Sequence, residues 1–266
     1  MKVTLNKNIT FGESSPFVLI SGPCVIESES HCLFMANEIK KITDKLEIPF
    51  IFKASFDKAN RTALKNYRGV PIDEAIKIFS RIKNEVGVPV TTDIHESWQA
   101  DYLKNVIDII QIPSFLCRQT DLLIAAAKTG LPVNIKKAQF VEGKDMEKAV
   151  LKVRLSGNDN VLLTERGNIF GYGDYVVDMR NLITMRNYAP VIFDATHSVQ
   201  KGCSGGSQGS NRHFIEPLAK AAAAVGIDGL FLETHDDPNN ALSDGTSSIK
   251  LSDLETTLRN ICKIIK

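Results

Sequence analysis

The chain has 266 residues, and its 32 Lys and Arg nearly balance its 31 Asp and Glu, which leaves a formal net charge of +1. With 43% hydrophobic and 24% charged residues, it has the composition of a globular protein with a large core. The balanced charge argues against nucleic acid or an anionic membrane as the main partner. The first segment, MKVTLNKNITFGESS, lacks the apolar stretch of a secretory signal, and no run of about eighteen apolar residues predicts a membrane span.

The five cysteines, at positions 24, 32, 117, 203 and 262, are odd in number and irregularly spaced. Such spacing is a poor disulfide framework and fits a reducing compartment. We therefore expect a cytoplasmic protein.

Short runs rich in Val, Ile, Leu and Phe recur along the chain and predict strands that are buried on both faces. The runs are 17–23, 49–55, 89–94, 108–114, 132–137, 160–167, 190–197 and 229–235. Amphipathic stretches of helical spacing lie between them, among them 30–46, 71–86, 120–130 and 214–226, and several end in Gly. Eight strands alternating with helices predict a (β/α)₈ TIM barrel, an α/β fold.

An open doubly wound sheet is the alternative fold, but no G-x-G-x-x-G follows the first run. Residues 1–16 precede the first strand of the barrel and are expected to form a short N-terminal cap, such as a hairpin that closes the bottom of the barrel. We predict a single domain over 1–266.

Each predicted strand runs directly into polar residues, which is where a barrel of this type places its active site. The residues at or just after the strand ends are Cys24, Lys53, Asp93, Gln111, Lys136, Lys137, Arg166, His197 and Glu233. The sequence therefore predicts a site at the carboxyl ends of the strands.

The segment FKASFDKANRTALKNYRG, residues 52–69, concentrates basic side chains after the second strand. Lys53, Lys58 and Arg61 are predicted to face the mouth of the barrel, together with Lys136 or Lys137 and Arg166 from other strands. Convergent Lys and Arg suit phosphate and carboxylate groups, which indicates a small ligand with more than one anionic group. A solvated basic loop is the simpler interpretation, and we favour it for Lys65 and Arg68.

Cys24, His197, Glu233 and Asp244 follow the first, seventh and eighth strands, which barrel closure makes neighbours. A thiolate, an imidazole and two carboxylates suit a first-row divalent metal such as Zn²⁺, Fe²⁺ or Mn²⁺. Taken singly, each residue also has an ordinary structural interpretation, because a free Cys is commonly buried and inert.

The segment QKGCSGGSQGSNRHF, residues 200–214, is rich in Gly and Ser. It is either a flexible surface loop, a phosphate-binding nest or a lid over the substrate, and we favour the lid. It has no Walker A pattern, so it does not indicate a nucleotide.

The strand-end motifs resemble the 3-deoxy-D-manno-octulosonate 8-phosphate synthase family from about residue 17 to the end. The motifs are GPCVIES (22–28), FKASFDKANR (52–61), TDIHE (92–96), IQIPSFLCRQTDLL (110–123), NIKKAQF (134–140), ERGNIFGYGD (165–174), DATHSVQ (194–200) and ETHDDPNNALSDG (233–245). The resemblance implies a barrel enzyme, usually a homotetramer. It condenses phosphoenolpyruvate with D-arabinose 5-phosphate and releases phosphate, in the biosynthesis of lipopolysaccharide.

The family has a metal-dependent branch with Cys in the GPC motif and a metal-independent branch with Asn there. Cys24 implies the metal-dependent branch, with His197, Glu233 and Asp244 as the other ligands of a divalent ion.

The resemblance also implies roles for individual residues. Lys53, Lys58, Lys136, Arg166 and Gln111 match the phosphoenolpyruvate site, with Ser55 assisting, and Asn60, Arg61 and Asp93 match the pentose phosphate site. Thr62 stands where the family has Ser, and Arg118 matches an Arg that reaches the pentose phosphate of a neighbouring subunit. The implied catalytic set is Lys53, Lys58, Asp93, Lys136 and His197, the last of which could also move a proton.

Three alternatives remain at this point. A related synthase uses erythrose 4-phosphate, but its usual KPR[ST] motif is replaced here by KASFDKANR. A Schiff-base aldolase would use a strand-end Lys of lowered pKa. A barrel that only binds or scaffolds would have lost the metal set or the strand-end cations.

Overall fold

The chain begins with a small hairpin at the bottom of the barrel. The computed structural model describes residues 1–12, 17–171, 173–201 and 211–265. Strands β1 (Val3–Asn6) and β2 (Ile9–Phe11) pair antiparallel. Phe11 is fully buried in the cluster that fills the inside of the barrel. The short N-terminal element that the sequence predicts is therefore confirmed for residues 1–12, and 13–16 lie outside the described residues.

Eight parallel strands form the closed barrel. They are β3 (Val18–Gly22), β4 (Phe50–Lys53), β5 (Val90–Asp93), β6 (Ile109–Ile112), β7 (Val133–Lys136), β8 (Val161–Glu165), β11 (Val191–Asp194) and β12 (Gly229–His235). Each pairs with the next in this order, and β12 pairs with both β11 and β3, which closes the ring. The prediction of a (β/α)₈ barrel is confirmed, and the single domain over 1–266 stays a prediction.

Three short strands lie outside the barrel wall. Strands β9 (Asn168–Ile169) and β10 (Tyr175–Val176) form an antiparallel pair after β8, and β13 (Ile249–Lys250) extends the end of β12. The predicted strand 160–167 thus ends at Glu165, before a turn at Gly167.

Eight α-helices lie in the described part of the chain and cover the outside of the barrel. They are α1 (Glu29–Leu46), α2 (Ile72–Arg81), α3 (Ser97–Leu103), α4 (Thr120–Lys128), α5 (Met146–Leu155), α6 (Arg180–Arg186), α7 (Ile215–Val225) and α8 (Leu251–Cys262). None of the described helices combines the length and apolar character needed to cross a membrane.

Two apolar clusters hold these layers together. The larger lies between the strands and the helices, and the smaller lies inside the barrel and includes Ile20, Ile51 and Phe231. The interior cluster fills only the lower part of the barrel, so the polar residues that follow it along the strands are left to line the upper end.

Candidate active site and metal site

The period of two along a strand decides which polar side chains face the inside of the barrel. Five strands each carry an apolar residue of the interior cluster and, two positions later, a buried polar residue near the strand end. The pairs are Ile51 and Lys53, Ile109 and Gln111, Leu162 and Thr164, Ile192 and Asp194, and Phe231 and Glu233. The same alternation therefore builds both the apolar floor and the polar site above it.

A cleft of about 1120 Å³, counted up to its open mouth, lies above this floor. Most of the residues that the sequence singles out line it: Lys53, Ser55, Lys58, Asn60, Arg61, Thr62, Asp93, Gln111, Lys136, Arg166, His197 and Asp244. Arg118 lines a different cavity with Phe140 and Lys152, so the structure does not bring it to the cleft of its own chain.

Three of the predicted metal ligands meet next to this cleft, and of these Asp244 lines it while Cys24 and Glu233 do not. Cys24, Glu233 and Asp244 each offer a ligand atom, and these atoms lie within 4.8 Å of one another. The Cys24 Sγ lies 3.4 Å from Asp244 Oδ2, and it donates to Ser243 Oγ at 2.9 Å. His197 Nε2 lies 3.8 Å from Glu233 Oε1 and 3.8 Å from Asp244 Oδ2.

The backbone places two of these ligands by unusual conformations. Gly22 has a φ of +152°, and a Cβ there would lie 2.1 Å from the Lys53 carbonyl oxygen, so only Gly allows β3 to approach β4 so closely. Asp244 has a left-handed φ of 46°, which costs energy for any residue other than Gly. Strain of this kind concentrates at functional sites.

The chemistry of the donor set fits a divalent cation. Glu233 Oε2 is buried without a hydrogen-bond partner among the described residues, so an acceptor is available at the centre of the set. Burial, and then the charges of Asp244 and Glu233, raise the pKa of the Cys24 thiol. A bound cation would reverse this effect, because a coordinating thiol is deprotonated.

Asp194 fixes the orientation of His197. The Asp194 Oδ2 lies 2.8 Å from His197 Nδ1, and Oδ1 accepts from the His197 backbone N–H at 2.9 Å. When Nδ1 carries the proton and donates a hydrogen bond to this carboxylate, the lone pair of Nε2 points away from Asp194. The carboxylate–histidine pairs of metal sites have the same arrangement. Burial works to raise the pKa of Asp194, but His197 and Lys136 outweigh it and lower the pKa far below its usual range.

Replacing Asp194 with Asn is therefore expected to weaken metal binding by about 10–100-fold, because the imidazole loses its fixed tautomer and orientation. Competition with a chromogenic chelator measures this affinity. Asp228→Asn is the matched control, since Asp228 accepts from Val191 N at the opposite end of β11. Equal affinities of the Asp194→Asn chain and the wild type would show that Asp194 does not orient the ligand.

Two lysines lie above the ring of Phe231. Lys53 Nζ donates to Glu233 Oε1 at 2.9 Å and to the Cys24 carbonyl at 3.0 Å, and it lies 5.5 Å from the ring centroid. Lys136 Nζ lies 3.9 Å from the same centroid and 2.6 Å from Asp194 Oδ2. Burial lowers the pKa of Lys136, and the charge of Lys53 adds to this effect, while Asp194 opposes it. The ammonium groups are thus held in place and face the cleft.

Polar atoms without partners are concentrated around the cleft. Among the described residues, five cleft-lining side chains each have a buried polar atom without a hydrogen-bond partner. These atoms are Ser55 Oγ, Asp93 Oδ1, His95 Nδ1, Gln111 Oε1 and Arg166 Nη1. Buried polar groups are normally paired, so their clustering indicates that a polar ligand or ordered water completes the site.

Asp93 and His95 form a pair at the end of β5, with Asp93 Oδ2 3.1 Å from His95 Nε2. Burial works to raise the pKa of Asp93, but the hydrogen bond and charge of His95, with the charges of Lys58 and Lys53, leave it well below its ordinary value of 3.8. The unfolded chain therefore binds more protons than the folded chain just below that pH, so stability falls as the pH falls through this range.

We expect Asp93→Asn to be less stable than the wild type at neutral pH by roughly the 1.5–3 kcal/mol of a charged hydrogen bond. The difference should shrink as the pH drops below 3.8, because the unfolded wild type then takes up a proton at Asp93 that the folded chain does not bind, whereas Asp93→Asn has no such group. Urea unfolding of both chains over this pH range measures it. A difference that stays constant on acidification would contradict the assignment of Asp93 as an ionised, paired group.

Comparison with known protein families identifies the family of this chain. The model of the DAHP synthetase I family matches residues 1–264. The chain belongs to the DAHP synthetase I family.

Three curated relatives in the DAHP synthetase I family carry one name, "2-dehydro-3-deoxyphosphooctonate aldolase". The protein from Cyanothece sp. is 52% identical over 99% of this chain and 97% of its own length, and that from Synechococcus sp. is 52% identical over 99% and 94%. The protein from Bartonella henselae is 53% identical over 96% of this chain and 92% of its own length. The resemblance drawn from the motifs is therefore confirmed.

Within this DAHP synthetase I barrel, the structure decides between alternatives that the sequence left open for the basic residues. Lys137, which the sequence leaves as an alternative to Lys136, is fully buried outside the cleft and donates to Asn168 Oδ1 at 2.8 Å. Lys65 and Arg68 are exposed, and Arg68 pairs with Asp57, as a solvated loop requires. Most of the lid predicted over 200–214, namely 202–210 with Cys203, lies outside the described residues.

Sequence reasoning missed three residues of the site. Asp194 and His95 were not singled out, although they stand in the motifs DATHSVQ and TDIHE. Gln200, whose Oε1 accepts from Arg166 Nη2 at 3.0 Å, was also missed. The signal for Asp194 was its position at a strand end three residues before His197.

Proposed function

We propose that this chain condenses phosphoenolpyruvate with D-arabinose 5-phosphate and water to give 3-deoxy-D-manno-octulosonate 8-phosphate and phosphate, for lipopolysaccharide biosynthesis. The curated relatives are named after 2-dehydro-3-deoxyphosphooctonate, which is an eight-carbon sugar acid phosphate. Three carbons from phosphoenolpyruvate and five from the pentose phosphate give eight. The reaction makes the chain a 3-deoxy-8-phosphooctulonate synthase.

The observation that carries this proposal is the joint presence of anion-binding groups and a metal set in one cleft. Lys58, Arg61, Lys136 and Arg166 line the cleft that also contains His197 and Asp244. Phosphoenolpyruvate brings a phosphate and a carboxylate, and the pentose brings a second phosphate. Several cations facing one space suit this number of anionic groups.

Cys24, His197, Glu233 and Asp244 would hold the divalent ion. When bound there, a divalent ion such as Zn²⁺, Fe²⁺ or Mn²⁺ would orient the aldehyde and polarise its carbonyl. Glu233 is a suitable ligand because its Oε2 has no other partner among the described residues.

The side chains of the cleft would perform the remaining work. The enol carbon of phosphoenolpyruvate attacks the aldehyde, water adds to the neighbouring carbon, and phosphate leaves. Lys53, Lys136 and Arg166 would neutralise the phosphate and carboxylate while charge moves between the reacting carbons. The hydroxyl of Ser55, which has no partner among the described residues, and the side-chain N–H of Gln111 would donate hydrogen bonds to this substrate.

The pentose would lie beside Asp93, with its phosphate at Asn60 and Arg61. Arg61 Nε and Nη2 donate to the Tyr67 and Leu242 carbonyls at 2.8 and 3.1 Å, which fixes the guanidinium at the cleft. Thr62 keeps the hydroxyl that the family's Ser would offer there. The new alkoxide needs a proton, and Lys58, which lines the cleft, is the candidate donor, because His197 directs its Nδ1 proton to Asp194 and would bind the metal through Nε2.

The length of the aldose separates this proposal from the related synthase. Phosphate release from phosphoenolpyruvate is measured with D-arabinose 5-phosphate and, separately, with erythrose 4-phosphate, each with metal present. We expect turnover with the pentose and little with the tetrose. Preference for the tetrose would assign the chain to the seven-carbon branch of the DAHP synthetase I family.

One observation favours a Schiff-base aldolase as the second candidate, because burial lowers the pKa of Lys136. The 2.6 Å ion pair with Asp194 argues against it, since a paired ammonium is a poor nucleophile. Borohydride treatment in the presence of substrate tests it. A trapped adduct at Lys136 with loss of activity would support the aldolase, and full activity without an adduct would exclude it.

We also propose a cytoplasmic homotetramer, in which Arg118 contacts the pentose phosphate bound to a neighbouring subunit. The position of Arg118 outside the cleft of its own chain supports this. Nucleic acid and membranes have no part in the proposed reaction.

A further inference from the structure

A second cluster of metal-ligating side chains lies outside the proposed active site. Glu27, His31 and His235 each offer a ligand atom, and these atoms lie within 4.8 Å of one another. Glu27 belongs to the connection between β3 and α1, His31 to the first turn of α1, and His235 to the end of β12. None of the three lines the cleft.

The three side chains are largely withdrawn from solvent. The exposed fractions of His31, His235 and Glu27 are 15%, 7% and 17%. The His31 and His235 rings lie 4.6 Å apart between centroids, and His235 Nε2 lies 3.2 Å from Glu27 Oε1. Donors on a tetrahedral zinc ion lie about 3.3 Å apart, given metal–nitrogen distances near 2.0–2.1 Å.

Within the described part of the chain, His31 has an unpaired ring nitrogen that a ligand could occupy. His31 Nδ1 is buried and has no hydrogen-bond partner among the described residues. Its other nitrogen, Nε2, lies 2.9 Å from Asp236 Oδ1. A proton on Nε2 donated to Asp236 leaves Nδ1 with a free lone pair, which is the form of imidazole that binds a metal.

Asp236 can orient the second imidazole as well. Its Oδ1 lies 3.1 Å from His235 Nδ1. When Nδ1 carries the ring proton, the lone pair of His235 Nε2 is available to a metal. In that tautomer Asp237 N–H gives up the hydrogen bond that it makes to Nδ1 at 3.0 Å. One carboxylate would then support both imidazoles, as outer carboxylates do in metal sites.

We propose that Glu27, His31 and His235 bind a divalent cation of the zinc class at a second site that shares no ligand with the Cys24 set. Two imidazoles and a carboxylate are a common three-ligand set for zinc, and water occupies the fourth position in such sites. The hard cations Mg²⁺ and Ca²⁺ are excluded because they prefer oxygen ligands.

The second site joins two segments that also carry the first. Cys24 precedes Glu27 by three residues, and the segment between His235 and Asp244 contains Leu242, whose N–H donates to Glu27 Oε1 at 2.8 Å. A cation held by Glu27 and His235 ties the start of α1 to the end of β12. Its binding therefore stabilises the fold around the cleft.

Cobalt(II) titration of the full chain tests the proposal, because thiolate ligands give cobalt a charge-transfer band that nitrogen and oxygen ligands do not. Cys24→Ala and His197→Ala together remove the thiolate and the imidazole of the first set, and this double variant, the first-site knockout, is used to isolate the second site. We expect it to bind one cobalt per chain without the thiolate band, and both His31→Ala and Glu27→Gln to abolish that binding. Glu27→Gln keeps an acceptor for Leu242 N–H, so it separates loss of the ligand from loss of the fold.

His213→Ala is the matched control, because His213 is an exposed histidine whose ring contacts Phe214 instead of the cluster. Added to the first-site knockout, it should leave the one cobalt in place. The proposal is overturned if the first-site knockout binds no cobalt. It is equally overturned if the cobalt persists in both His31→Ala and Glu27→Gln. Neither result would bear on the reaction proposed above, because that reaction uses none of these three residues.

Discussion

Replacing Cys24 with Ala is expected to lower turnover of phosphoenolpyruvate and arabinose 5-phosphate by at least about a hundredfold. Loss of an outer partner of a metal ligand already weakens metal sites by about 10–100-fold, and Cys24 would be a direct ligand. The remaining His197, Glu233 and Asp244 keep one nitrogen and two carboxylate donors, so the residual site binds a first-row cation more weakly. Steady-state phosphate release and metal content of the dialysed chain measure both losses.

Cys262→Ala is the control for Cys24→Ala, because Cys262 is a half-buried thiol in α8 that lines none of the described cavities. It should retain both metal and turnover. Near-normal turnover of Cys24→Ala after removal of its metal would contradict the assignment of Cys24 as a ligand in a metal-dependent enzyme.

Replacing Lys53 with Met is expected to reduce the free energy of unfolding by about 3–5 kcal/mol and to abolish turnover. Lys53 and Glu233 form an ion pair in which both side chains are almost completely buried, at 2% and 0% exposure. Removing the ammonium leaves the Glu233 carboxylate charged in a site from which water is excluded, which is the costly case for a buried pair. Urea unfolding in the presence of a chelator measures the effect without a contribution from metal binding.

The double variant Lys53→Met with Glu233→Met separates the two roles of the pair. It should recover most of the lost stability, because replacing both members of a buried ion pair with apolar side chains is often close to neutral, yet it should stay inactive. Lys45→Met is the surface control, since Lys45 pairs with Glu255 at 2.7 Å while 60% exposed, and it should cost less than about 1 kcal/mol. A similarly small cost for Lys53→Met would show that Glu233 is not charged in the folded chain.

The barrel could be predicted from the sequence because its strands are buried on both faces. The runs around Ile51, Ile192 and Phe231 are continuous in apolar residues, which is the pattern of a parallel strand. The hairpin of β9 and β10 was not predicted, because strands of two residues carry no detectable periodicity.

The composition of the site was predictable, but its internal pairing was not. Lys53 and Lys136 were identified by their positions at strand ends. The metal set was identified because strands one, seven and eight lie side by side in a closed barrel. The choice between Lys136 and Lys137 depended on which face of β7 each occupies, and the end of a strand leaves that ambiguous. Asp194 was missed because its importance comes from two contacts, with His197 and Lys136, that exist only in the folded chain.

The most direct test of the account is phosphate release from phosphoenolpyruvate and arabinose 5-phosphate before chelation, after chelation and after metal is added back. We expect turnover that is lost with the metal and restored by a first-row divalent ion. Turnover that survives complete removal of the metal would contradict the four-ligand site of Cys24, His197, Glu233 and Asp244. Absence of turnover in the fully metal-loaded chain would contradict the proposed reaction itself.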